Sequence, residues 1–232
     1  MILLLLACET PITQVNLEGM VQDAPFNGGA PVEGAALVAR NRDAEVTGES
    51  ESDADGVFSV AVDSDVPFFL TLTHPDLVST GFSGVAGLDD FDAGTGYPWM
   101  ATPAWVEELR TDHAECAGAA LEGGMVVGEV RAGVSEVDDI NQWPTLPDVV
   151  VEVLDSTGEV HTGCYLDDEG LSAADAEGTG GTGVYAVFGV AAGAINVTVS
   201  VERSSGEMGT DVFEFILPEE GLVPVFPTVV WL

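Results

Sequence analysis

Apolar residues recur at every second position in several segments of this chain, the mark of strands with one face in a core and one in water. The clearest is Ile195-Asn196-Val197-Thr198-Val199-Ser200-Val201-Glu202, whose apolar residues all fall on one face. Val149-Val150-Val151-Glu152-Val153 and Phe58-Ser59-Val60-Ala61-Val62 behave similarly, as do the triplets Phe68, Leu70, Leu72 and Phe213, Phe215, Leu217. Turn signals at Asp55-Gly56, Ser156-Thr157-Gly158 and Gly178-Thr179-Gly180-Gly181 separate these runs. Short strands at this spacing predict an all-β chain built as antiparallel β-sandwiches.

One segment has a helical period instead. Thr102 suits an N-cap and Pro103 the first helical position, with Glu107 and Glu108 towards the positive end of the helix dipole. Trp105, Leu109, His113, Cys116 and Ala120 fall on one helical face, and Gly123-Gly124 is the expected stop.

The strand pattern is used twice. The first copy opens at Gly19-Met20-Val21 and runs through Pro31-Val32-Glu33-Gly34-Ala35. It continues with Asp55-Gly56-Val57-Phe58 and closes on Val66-Pro67-Phe68-Phe69-Leu70-Thr71-Leu72. The second opens at Val127-Gly128-Glu129-Val130 and runs through Pro147-Asp148-Val149-Val150-Val151. It continues with Thr182-Gly183-Val184-Tyr185 and closes on Gly193-Ala194-Ile195-Asn196-Val197. One plan used twice implies two tandem domains. On these residues the chain resembles the carboxypeptidase regulatory-like domain, a transthyretin-like, Ig-like β-sandwich of about seven strands. The first copy matches the pattern at Gly19, Pro31, Gly34, Asp55, Gly56 and Phe58; in the second, Asp148 replaces a glycine and Tyr185 the phenylalanine. The expected division is a first sandwich over 15–101, a helical connector over 102–122 and a second sandwich over 123–232.

Charge narrows the partners. Forty acids stand against five arginines and no lysine, a formal net charge of −35 over 232 residues. Such a surface repels nucleic acid, so no nucleic-acid role is expected. The acids are scattered instead of blocked, which reads as a solvated coat that tolerates salt. Positive mean hydropathy and the ordered alternation exclude a disordered chain.

The first eight residues, Met1-Ile2-Leu3-Leu4-Leu5-Leu6-Ala7-Cys8, are an apolar run that ends on Ala-Cys and turns polar at once. They resemble the end of a bacterial lipoprotein signal peptide, with Leu5-Leu6-Ala7-Cys8 as lipobox. No basic residue precedes the run, so 1–8 reads as a truncated signal and 9–14 as a tether. The resemblance implies lipidation of Cys8 and an extracytoplasmic address in the cell envelope. Glu9 after the cysteine leans towards the outer membrane. A lipidated Cys8 leaves an even pair, Cys116 and Cys164, which in an exported protein favours a disulfide. The alternative is two separate buried thiols.

Chemistry is sparse. His113-x-x-Cys116 and His161-x-x-Cys164 make a formal zinc inventory, but an oxidising compartment favours the disulfide. Asp167, Asp168, Glu169, Asp175 and Glu177, or Asp89, Asp90 and Asp92, could gather calcium, yet neither spacing follows an EF-hand loop. No nucleophile elbow, phosphate loop or metalloprotease helix occurs, and no cofactor is called for. Trp99, Trp105, Trp143 and Trp231 offer a sugar-stacking platform or, more simply, core filling. The expectation is a non-enzymatic, lipid-anchored envelope protein acting as a structural or protein-interaction module, held to the membrane by its N-terminal lipid. The alternatives are a carbohydrate-binding surface module with a glycan partner, and a calcium- or zinc-binding envelope protein.

Overall fold

Alternation in the sequence becomes alternation in burial. The computed structural model of the chain describes residues 13–23, 29–87, 91–92, 98–114, 123–133, 144–165, 177–202, 206 and 208–230. The first half contains β1 (Gln14–Met20), β2 (Ala36–Arg40), β3 (Val46–Glu51), β4 (Val57–Asp63), β5 (Pro67–His74), β6 (Leu77–Val85) and β7 (Phe91–Asp92). After α1 (Pro103–Asp112) come β8 (Gly124–Ala132), β9 (Val150–Leu154), β10 (Val160–Thr162) and β11 (Cys164–Tyr165). The chain closes with β12 (Val184–Val190), β13 (Gly193–Glu202), β14 (Met208–Leu217) and β15 (Leu222–Val230). The predicted faces are the buried ones: Phe58, Val60 and Val62; Phe68, Leu70 and Leu72; Ile195, Val197, Val199 and Val201.

The described strands form three sheets, in the orders β4-β1-β7, β10-β9-β13-β14 and β11-β12-β8-β15-β6-β5-β2-β3. In the first half β4-β1-β7 packs on β6-β5-β2-β3 around Leu17, Leu37, Val60, Phe68 and Leu72. In the second half β10-β9-β13-β14 packs on β11-β12-β8-β15 around Val126, Val151, Tyr185, Val197 and Leu217. The fold is thus a layered β-sandwich architecture, as expected, with the helix α1 between its halves in sequence.

The two halves repeat each other pairing by pairing. β1 is antiparallel to β4 and parallel to β7, as β8 is antiparallel to β12 and parallel to β15. β2 pairs antiparallel with β3 and β5, as β9 does with β10 and β13. The ladders are therefore not uniformly antiparallel: the first and last strands of each half run in the same direction side by side.

What joins the halves is β15. It lies parallel to β8 and also touches β6 through the pair Leu222 and Thr80, which makes one eight-stranded sheet of two four-stranded ones. The approach is close enough to demand glycine. A Cβ on Gly81 would collide with the Ile216 carbonyl oxygen, and one on Gly221 would stand 2.7 Å from the Ser79 carbonyl oxygen. Ser83 Oγ donates to the Glu214 carbonyl oxygen at 2.7 Å, and Arg42 pairs with the Glu214 carboxylate at 2.6 Å. That last pair is exposed and contributes at most about 1 kcal/mol.

Candidate functional site

The helix is positioned by its cap and by one apolar face. Thr102 Oγ1 accepts from the Trp105 N–H at 3.2 Å, and Pro103 takes the first turn as expected. The first turn contains no acid; Glu107 and Glu108 lie one turn too far along to act there. The helix ends at Asp112, short of Gly123-Gly124, where the His113 N–H turns back to the Leu109 carbonyl oxygen at 3.1 Å.

The face that docks includes Val106, which the helical reading did not place beside Trp105 and Leu109. It covers Met125 and Val127 of β8, Cys164 of β11, Ala186 and Phe188 of β12 and Leu222 of β15. β8 is therefore buried on both sides, by the opposing sheet through Val126 and Val130 and by the helix through Met125 and Val127. Buried Trp99 meets Trp105 edge-on, with ring centroids 5.7 Å apart. Trp99 is thus core, not sugar platform; Trp143 and Trp231 lie outside the described residues.

His113 is 4% exposed at the end of this face, 6.4 Å from the Phe188 ring, and its Nδ1 has no hydrogen-bond partner among the described residues. Burial lowers its pKa, opposed by the neighbouring Asp112 carboxylate. Cys164 is buried against the helix face. Cys8 and Cys116 both lie outside the described residues.

Of the zinc inventory, Cys116 lies outside the described residues. Among the described residues, His161 groups with Asp155 and Glu159, their ligand atoms within 4.8 Å of one another. The hydrogen bonds show what that cluster does. Asp155 Oδ1 accepts from Thr157 N at 2.8 Å, Thr157 Oγ1 at 2.7 Å and Glu159 N at 3.0 Å. Oδ2 accepts from His161 Nε2 at 3.0 Å and Ala191 N at 3.2 Å. Both oxygens are occupied, so the carboxylate fastens the β9–β10 turn to the β12–β13 turn instead of presenting lone pairs to a cation. Burial alone would raise its pKa, but the bonds from His161, Thr157 and Glu159 outweigh it and hold the group well below the usual carboxylate range. Of the calcium candidates, Asp167, Asp168, Glu169 and Asp175 lie outside the described residues, as do Asp89 and Asp90. Glu177 is exposed.

Two buried hydroxyls escaped the sequence reading. Ser52 Oγ donates to the Val32 carbonyl oxygen at 2.6 Å and accepts from Ala35 N at 2.9 Å. Thr179 Oγ1 repeats this in the second half, donating to the Leu146 carbonyl oxygen at 2.7 Å and accepting from Val149 N at 3.1 Å. Their signal was a hydroxyl residue four positions before the glycine of each Gly-plus-aromatic strand, too weak to stand out among the serines and threonines of the loops.

No family model and no curated protein matches the chain. Among solved structures it is similar to the Bacillus anthracis TIE protein (11% identity, TM-score 0.32), over 94% of this chain and 33% of that one. The chain thus spans about one third of that protein's length. It is also similar to GBS52, a minor pilin of Streptococcus agalactiae, with 12% identity and a TM-score of 0.29 over 92% and 95% of the two chains. For the shaft pilin SpaA of Lactobacillus rhamnosus GG the values are 9% and 0.31, over 93% and 98%. Likeness at this level carries no argument about function, and the architecture rests on the strand pairings themselves.

Proposed function

We propose that this chain is a non-enzymatic, lipid-anchored protein of the cell envelope whose two tandem sandwich domains, over 15–101 and 123–232, form a rigid contact module. The observation that carries the reading is β15: by lying between β8 and β6 it converts two repeats into one continuous sheet. A display module gains from such stiffness, because partners then meet one fixed surface instead of two swinging ones. The resemblance to carboxypeptidase regulatory-like domains is supported by the paired Gly-plus-aromatic motifs, since Gly19 faces Phe58 and Gly128 faces Tyr185 across their ladders.

The anchor is Cys8, at the end of the lipobox. The disulfide partner of Cys164 is Cys116, which follows the helix that packs on Cys164; this bond ties the connector to the second sandwich. Its contribution is about 3–4 kcal/mol for a loop of that length. The acidic coat fits an exposed, salt-tolerant surface, and the partner is a protein or glycan of the envelope.

Fractionation of cells expressing the full chain tests the anchor. The native protein is expected in the membrane fraction with an acylated N-terminal cysteine by mass spectrometry, and Cys8→Ser in the soluble fraction. Equal partition of the two, with an unmodified Cys8 peptide, removes the lipoprotein reading. Non-reducing peptide mapping tests the disulfide and should return one peptide pair containing Cys116 and Cys164.

A further inference from the structure

A cleft of about 630 Å³ opens where the helix, the first half and the second half meet. That volume falls in the range of small-molecule sites. Val78 of β6 with Pro103 and Val106 of α1 gives it an apolar wall, and Glu107, Arg110 and Glu220 supply its charges. Arg110 is half-buried, and its Nη2 donates to the Gly123 carbonyl oxygen at 2.6 Å, which fixes the guanidinium plane. In a chain with forty acids, Arg110 forms no ion pair among the described residues. Glu107 lies one turn before it on the same helical face yet does not close on it. Glu220, in the turn where Gly221 N donates to the Pro218 carbonyl oxygen at 3.0 Å, has a φ of 49°. That left-handed conformation suits glycine better than glutamate, and non-glycine residues held in it concentrate at ligand sites.

The charges decide the class of ligand. A simple anion is opposed by the field of a chain at −35, and a simple cation meets Arg110. A molecule with both charges satisfies the cleft: its carboxylate on the remaining guanidinium N–H groups, its ammonium towards Glu107 and Glu220, its side chain on the apolar wall. We propose that this cleft binds a small zwitterion with an apolar side chain, either a free α-amino acid or a dipeptide. The proposal is independent of membrane anchoring.

Saturation-transfer NMR and calorimetry on the full chain test it with L-leucine, Leu-Leu, N-acetyl-leucine, leucinamide and putrescine. One of the two zwitterions is expected to bind best, which distinguishes amino acid from peptide. Each singly blocked form should bind at least about tenfold more weakly. Arg110→Gln should abolish the signal. Glu220→Gly should weaken binding about tenfold while leaving the melting temperature equal or higher, which separates a binding role from a structural one. No saturation by either zwitterion up to roughly 10 mM overturns the proposal. So does N-acetyl-leucine, leucinamide or putrescine binding as tightly as the better zwitterion, or affinity unchanged in either variant.

Discussion

The two halves meet the same local problems with different residues, and the differences follow burial. The β2–β3 turn runs from Asn41 to Glu45 and the β9–β10 turn from Asp155 to Glu159. Each places its fourth residue at positive φ, Ala44 at 63° and Gly158 at 88°. In each, the first residue's side-chain oxygen accepts from the backbone N–H groups two and four residues on. Asn41, half-exposed and neutral, adds only a local bond from its Nδ2 to the Glu45 carboxylate at 3.1 Å. Asp155 is 6% exposed and takes His161 and Ala191 as well. A turn at the rim needs only a local acceptor. The same turn folded inward needs a charge with enough partners to balance its lost hydration.

The strongest way to break the equivalence is at its glycines. Gly56 and Gly183 have φ values of 75° and 68°, and a Cβ would stand 2.6 Å from the Val21 carbonyl oxygen or 2.5 Å from that of Val130. Gly56→Ala and Gly183→Ala should each cost about 3 kcal/mol or more by urea denaturation, combining left-handed strain with overpacking. A large effect at one site and none at the other would show that the halves are not equivalent.

Next in size is the contrast between the turns. Asp155→Ala leaves buried donors unsatisfied and should cost about 2–3 kcal/mol, whereas Asn41→Ala should cost about 1 kcal/mol or less. Asp155 also gives the second half a pH signature. Its folded pKa is depressed, so its stabilisation is fully present above the ordinary carboxylate range near pH 4 and is lost as pH falls towards the folded value. Acid titration of the native chain against Asp155→Asn should show this extra loss of stability in the native protein alone.

The hydroxyl clasps come third. Ser52→Ala and Thr179→Val each remove a donor and an acceptor from buried backbone groups and should cost about 1–2 kcal/mol. Matching values would confirm that serine and threonine perform one task.

The smallest effects have the opposite sign. Gly34 at 77° and Asp148 at 60° occupy equivalent positions, since their N–H groups donate to the carbonyl oxygens of Ser52 and Thr179 at 2.9 and 2.7 Å. Asp148→Gly, and likewise Ala44→Gly, should stabilise by about 0.5–1 kcal/mol, read as a raised melting temperature. Destabilisation by Asp148→Gly would mean that the carboxylate has a task of its own.

Much of this was legible along the chain. Alternation at Phe58-Ser59-Val60 and at Ile195–Val201 identified the inward faces, because side chains on a strand must alternate whatever the partner strand is. The Thr102-Pro103 start of the helix was equally local. The replacement of a pattern glycine by Asp148 was visible along the chain; that the position is left-handed, with aspartate adopting it, was not. His161 reads along the chain only as half of a His-x-x-Cys pair; its partner Asp155, six residues earlier across a turn, is not legible there. Spacing says which residues share a strand, and only folding says which turn comes back over them.

The sequence by itself determined the strand faces, the turns, the helix cap and the presence of two copies, because each depends on contacts within a few residues. Only the tertiary structure decided that Gly128 lies opposite Tyr185 and that β8 is covered on both faces. It also decided that β15 joins the halves through Leu222 and Thr80. Those outcomes depend on segments up to about 140 residues apart in sequence, where alternation fixes the face of a strand but not its neighbour.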